Sequence, residues 1–205
     1  MTRLVLASAN PGKLRELEAL LAPLGLGVVP QGELGVTAAA ETGSTFLDNA
    51  LIKARHAAAH TGQAALADDS GIEVDALGGR PGVWSARYAG EGASDAANLQ
   101  RLLHELSGLP AAQHPAARGA RYQCVIAVVR SAADPEPLIA RGSWAGHIAM
   151  APRGRGGFGY DPVFVPHGDT RTAAELPEWE KNTASHRAQA LRELLSQLPA
   201  YIRGP

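Results

Sequence analysis

The chain has 205 residues and a formal net charge of −1, from 19 Lys or Arg and 20 Asp or Glu. That length suits one domain or a compact pair of lobes whose core needs no disulfide or structural metal, and 45% apolar with 19% charged residues excludes disorder. Balanced charge argues against nucleic-acid binding, no apolar run or opening segment reads as a membrane span or signal peptide, and the single Cys124 excludes an intrachain disulfide and a cysteine-based zinc cluster; a soluble, cytoplasmic protein is expected.

Residues 3–7 (RLVLA) read as a buried strand that runs into the loop signal Ser8-Ala9-Asn10-Pro11-Gly12. Leu14, Leu17, Leu21 and Leu24 then recur at helical spacing, so Pro11 and Gly12 sit near a helix start. Val28-Val29 predict a second strand, followed by a loop that holds Glu41. Ser44 is positioned to cap a helix to about His60, with Leu47, Leu51, Ala54 and Ala58 on its apolar face. The run 64–67 (AALA) predicts a third strand that ends at Asp68-Asp69-Ser70-Gly71, with a return to strand at 72–77 and a long Gly/Pro-rich loop at 78–92.

Ser94 caps a helix to about Leu106, with Leu99, Leu102, Leu103 and Leu106 inward. Residues 108–118 form a surface connection. Strands are predicted at Tyr122–Val129 and Leu138–Ile148, joined by a turn at Asp134-Pro135. The glycine-rich 154–162 (GRGGFGYDP) leads into Val163–Val165. An amphipathic helix of about 183–198 closes the chain, with Ala188, Leu191, Leu195 and Leu198 as its stripe. Strands and helices alternate early and longer strands cluster late, which predicts a mixed α/β fold of two lobes.

Sixteen of the 19 cations are Arg, and Lys13, Lys53 and Lys181 are the only lysines. Lys13 falls in the first of four places where chemistry concentrates. Ser8, Asn10, Gly12 and Lys13 form a strand–loop–helix turn, where amides and a lysine can meet a phosphate. It is not a Walker A loop, and an ordinary capped turn is the alternative. Asp68-Asp69-Ser70-Gly71 pairs two carboxylates at a buried edge, suited to Mg²⁺ with Glu41 as second ligand; a polar turn is the alternative. In 154–162, four glycines surround Arg155, Phe158, Tyr160 and Asp161, either a ligand loop with a stacking face or a plain hairpin. Lys181 and Ser185-His186-Arg187 could donate to a base or phosphate, or form a solvated helix turn. His56 and His60 stand at i,i+4 without a third metal ligand and read as a solvated face. Cys124 reads as a buried thiol.

Together, SANPGK (8–13), ETGSTFLDNALIKA (41–54), ADDSG (67–71), GGRPGVWSARY (79–88), GGFGYDPVF (156–164) and EKNTASHRAQAL (180–191) resemble the inosine triphosphate pyrophosphatase family, in order and over nearly the whole chain. The resemblance implies one two-lobed α/β domain (1–205) around a long central mixed sheet flanked by helices. It also implies a homodimer and Mg²⁺-dependent hydrolysis of non-canonical purine triphosphates (dITP, ITP, XTP) to monophosphate and pyrophosphate. On this resemblance Ser8, Ala9, Asn10, Pro11, Gly12, Lys13, Lys53 and Lys181 bind the triphosphate. Glu41 and Asp69 serve the metal, and Asp69 accepts the proton of water. Ser70, Phe158, Gly159, Tyr160, Asp161, His186 and Arg187 line the nucleoside. Ala40 stands where some relatives carry a second acid, so the metal role rests on Glu41. The related Maf-type pyrophosphatases open with Ser-Pro-Arg-Arg where this chain has Asn-Pro-Gly-Lys. A nucleotide-sensing module would have no need of the acids Glu41, Asp68 and Asp69.

Overall fold

The computed structural model describes residues 3–8, 10–21 and 27–203. Ala9, in the candidate phosphate turn, and Leu24, expected on the first helix, lie outside them. The strands are β1 Arg3–Leu6, β2 Gly27–Pro30, β3 Ala65–Val74, β4 Gly119–Val129, β5 Leu138–Ile148 and β6 Phe164–Pro166. The helices are α1 Pro11–Leu21, α2 Phe46–Thr61, α3 Asp95–Ser107, α4 Glu178–Ala184 and α5 His186–Arg203. Six strands form one sheet in the order β2-β1-β3-β4-β5-β6. β1 pairs in parallel with β2 and β3, and β5 pairs antiparallel with β6, so the sheet is mixed, as the family resemblance implied.

The chain divides into two compact units, the first made of Met1–Asp69, Cys124–Gly142 and Arg187–Pro205, the second of Ser70–Gln123 and Ser143–His186. Strand alternation builds the first unit's two apolar layers. Leu4, Leu6, Leu66, Ile126 and Val128 pack with Leu17 and Leu21 of α1 and Leu191, Leu194 and Leu198 of α5. The intervening Val5, Ala65, Ala67, Ala127 and Val129 pack with Ala50, Ala54, Ala57 and Ala58 of α2. Burial on both faces explains why β1 reads as an unbroken apolar run. In the second unit Ile72, Val74, Tyr122, Trp144 and Phe164 pack with Leu99, Leu102 and Leu106 of α3.

Three expectations change. β3 does not stop at Asp68 but runs through Asp68-Asp69-Ser70-Gly71 as one ten-residue strand. Successive strand residues point to opposite faces, so the two carboxylates do not crowd each other; Asp68 meets cations of α1 and α5, and Asp69 meets one of α2. Thr45, not Ser44, caps α2, because Asp48 stands at the third helical position and completes a capping box with it. The closing helix is two helices broken at the extended Ser185; Leu194 joins the predicted stripe as a fully buried core residue, and Leu195 packs half-buried against the same core.

Candidate active site

The first unit assembles one cluster on each face of β3. At the start of α1, Asn10 Oδ1 accepts from the backbone N–H groups of Gly12 (2.9 Å) and Lys13 (3.1 Å), and Ser8 Oγ accepts from Asn10 N (3.3 Å). Asn10 thus caps the helix and holds the turn that aims Lys13. Lys13 Nζ lies 3.0 Å from Asp68 Oδ2. The same oxygen receives Arg187 Nε (3.4 Å) and Nη2 (3.3 Å), while Arg187 Nη1 donates to Glu16. Burial opposes the charge of Asp68, yet Lys13, Arg187 and Lys53 outweigh it and hold the carboxyl well below the usual range. Burial likewise opposes the Arg187 charge, and Asp68 and Glu16 more than restore it. Asp68 Oδ1 is buried without a hydrogen-bond partner among the described residues.

On the other face, Lys53 Nζ stands 2.8 Å from both Glu41 Oε1 and Asp69 Oδ1. Asn49, one turn earlier on α2 and fully buried, donates from Nδ2 to Asp69 Oδ2 (3.3 Å). Here the balance goes the other way for the acid. Burial raises the Asp69 pKa, and the opposing pull of Lys53 and Lys13 does not cancel it. Lys53 loses charge stability to burial but gains more from Asp69, Asp68 and Glu41, so its pKa rises. Two adjacent carboxyls are therefore driven in opposite directions.

Lys53 shows that Glu41 and Asp69 can bring carboxylate oxygens around one cation. Hard, all-oxygen ligation of that kind fits Mg²⁺, which takes one or two carboxylates and fills its remaining positions with water and phosphate.

The second unit gathers the glycine-rich loop. Asp161 is its hub: Oδ2 accepts from Lys181 Nζ (2.7 Å) and Phe158 N (2.9 Å), and Oδ1 from the Tyr122 hydroxyl (3.1 Å). Gly157 has φ +68, and a Cβ there would lie 2.0 Å from Asp161 Oδ2, so only glycine lets the loop close on this carboxylate. Lys181 Nζ sits 4.9 Å from the centre of the Phe158 ring. The His186 ring stacks on Tyr122 with centroids 4.6 Å apart and planes within 7°. Tyr160 is buried and donates to the Ser85 carbonyl (2.8 Å), and Gly159 N donates to Asp95 (2.8 Å). Ser70 follows Asp69 on β3, half-buried.

The structure thus sorts the predicted residues. Lys13, Glu41, Lys53, Asp69 and Arg187 belong to the first unit; Ser70, Phe158, Gly159, Tyr160, Asp161, Lys181 and His186 belong to the second. Lys181, expected on the phosphates, pairs with Asp161; Arg187, expected on the base, is enclosed by Asp68 and Glu16. Sequence reading missed Glu16 and Tyr122. Glu16 stands three residues after Lys13 on one helix face, a spacing that could have flagged it; Tyr122 lies in an apolar strand run with no local signal. His56 and His60 bind backbone carbonyls, of Thr37 and His56 respectively, and no metal-binding group of three or more acids, histidines or cysteines occurs among the described residues. Burial pushes the Cys124 thiol up to about 12, which leaves it inert.

A mixed sheet flanked by helices, with acid–lysine clusters on β3 and a glycine-rich loop folded around an aspartate, defines an α/β protein. The Ham1 family model matches residues 4–197. The chain is 59% identical to a dITP/XTP pyrophosphatase of Ralstonia nicotianae over 97% of both chains, and 54% identical to one of Escherichia coli O157:H7 over 97% of this chain and 98% of the relative. A solved HAM1 protein from Coxiella burnetii superposes with a TM-score of 0.88 at 50% identity, over 98% of this chain and all of the other. The chain belongs to the Ham1 family.

Proposed function

We propose that this protein is a nucleoside triphosphate pyrophosphohydrolase that converts dITP, ITP and XTP to the monophosphate and pyrophosphate with Mg²⁺. The observation that carries the reading is the Glu41–Lys53–Asp69 cluster, in which burial raises the proton affinity of Asp69 beside a lysine and a second acid. A carboxylate of raised pKa, within reach of a phosphate-binding cation, is equipped to take a proton from water. A module that only bound nucleotide would gain nothing from it. The names of the curated relatives support the same substrate class.

In this mechanism Asp69 accepts the proton as water attacks the α-phosphorus. Lys13 and Lys53, with the Ser8–Lys13 turn, hold phosphate oxygens and balance the charge that passes to the leaving pyrophosphate. Glu41 and Asp69 would hold Mg²⁺, which would supply further positive charge to the phosphates. Asp68, fixed by Arg187, holds Lys13 by an ion pair beside the turn. On the base side, Phe158 offers a stacking face and Lys181 and His186 offer donors. Arg187 is assigned to Asp68 and Glu16 rather than to the base, because its guanidinium is enclosed. A cytoplasmic homodimer completes the reading, on the resemblance alone.

Hypoxanthine and xanthine present a 6-oxo acceptor, whereas adenine presents a 6-amino donor that would face donors. An unpaired buried donor costs about 1–3 kcal/mol, so kcat/KM for dITP should exceed that for dATP by about 5–150-fold. Incubation with Mg²⁺ and a triphosphate panel tests this. Near-equal rates on dITP and dATP would contradict the base assignment, and no turnover of any triphosphate would overturn the function.

A further inference from the structure

We infer that Asn49 is a positioning residue that fastens the Glu41 loop to Asp69, so that the two acids keep the spacing a divalent cation needs. The inference rests on the functional reading above. Asn49 lies on α2 at 0% exposure, where an amide is costly unless both its ends are used. Both are used. Nδ2 donates to Asp69 Oδ2 on β3 (3.3 Å), and Oδ1 accepts from the backbone N–H of Gly43 (2.8 Å), two residues after Glu41.

These two bonds join three separate pieces of chain, namely the loop at 41–43, α2 and β3. Lys53, the next turn of the same helix, meets the same two acids by charge. Charge alone cannot fix their spacing, because an ammonium on a flexible stem accepts many geometries. A buried planar amide does not. Gly43 shows how closely the loop is drawn in: a Cβ there would meet Asp48 Cβ at 2.5 Å and Asn49 Oδ1 at 2.7 Å. The loop therefore reaches the amide only with glycine at this position.

Groups that orient metal-binding side chains typically contribute 10–100-fold in affinity or activity. The experiment measures binding of Mn²⁺, standing in for Mg²⁺, to the nucleotide-free full-length protein by electron paramagnetic resonance, alongside kcat and KM for dITP. Asn49→Leu keeps approximate volume and removes both bonds. Its Mn²⁺ Kd should weaken by about tenfold or more and kcat should fall by a similar factor, with KM for dITP little changed. A purely structural role would lower the number of Mn²⁺ sites per protein and leave their affinity alone. Gly43→Ala reaches the same linkage from the loop side and should shift Kd in the same direction. The double variant should be no worse than Asn49→Leu, since both remove one connection.

A folded Asn49→Leu protein with wild-type Mn²⁺ affinity and kcat would overturn the inference while the active wild type left the functional reading standing. If Asn49→Leu does not fold, Gly43→Ala decides by the same criterion. A wild type that neither binds Mn²⁺ nor hydrolyses dITP would instead sink the functional reading.

Discussion

Oδ2 of Asp68 takes three charged donors, one from Lys13 and two from Arg187, within a wholly buried setting. Removal of one member of a buried ionic set leaves the rest uncompensated, at a cost of about 3–5 kcal/mol. Asp68→Asn should therefore lower Tm sharply. The sign of its pH dependence follows from the lowered pKa. A carboxyl that is more acidic in the folded state contributes stability above its unfolded value, near 4, and loses it as pH falls toward the native value. Wild-type Tm should drop as pH is lowered below about 4, and Asp68→Asn should show a shallower drop; parallel curves for the two proteins would contradict the assignment. Asp69 carries the opposite shift, so its charge is bought at the expense of stability above that pH. Asp69→Asn relieves a carboxylate whose charge burial opposes but takes a partner from the buried Lys53, so Tm should fall less than in Asp68→Asn while kcat falls about 10²–10⁴-fold. A folded Asp69→Asn protein with more than about a tenth of wild-type activity would remove Asp69 from the chemistry. Arg187→Ala should behave as Asp68→Asn does, with lost stability and dITP-over-dATP selectivity retained in whatever fraction folds; a selective loss for dITP at unchanged Tm would return Arg187 to the base.

β3 shows what a single sequence conveys about an element and what it withholds. Its apolar first half was legible, whereas Asp68-Asp69-Ser70-Gly71 carries the local chemistry of a turn. The strand continues because Lys13, Lys53 and Arg187 neutralise the acids, and those partners lie far along the chain where no local pattern reaches them. Local signals did better where the partners are near. The Ser94 cap of α3 was read directly, whereas Ser44 was read as the cap of α2, one residue before the Thr45–Asp48 capping box. Thr45→Ala should cost about 1 kcal/mol of stability and leave kcat on dITP unchanged. The glycine-rich loop was recognisable by composition, but not its hub, since Tyr122 and Lys181 approach Asp161 from 39 and 20 residues away. Gly157→Ala should break that loop on two counts, positive φ and the clash with Asp161. Its KM for dITP should rise at least tenfold, as about 1.4 kcal/mol is a factor of ten; an unchanged KM would separate the loop from substrate binding.

Across the whole molecule the three lysines share one feature. Lys13 pairs with Asp68, Lys53 with Glu41 and Asp69, and Lys181 with Asp161, so each ends on an acid of the candidate site. Their scarcity among 19 cations was visible in composition; their partners required the fold. Two of these lysines fall in the unit that holds Asp69, where an attack on the α-phosphorus would place positive charge beside the departing pyrophosphate. That placement puts the cut between the α- and β-phosphorus. Hydrolysis of dITP in heavy-oxygen water, with products separated by mass, reads it directly. One heavy oxygen should appear in deoxyinosine monophosphate and none in pyrophosphate. Heavy oxygen in pyrophosphate, or initial products of deoxyinosine diphosphate and labelled orthophosphate, would contradict that cut.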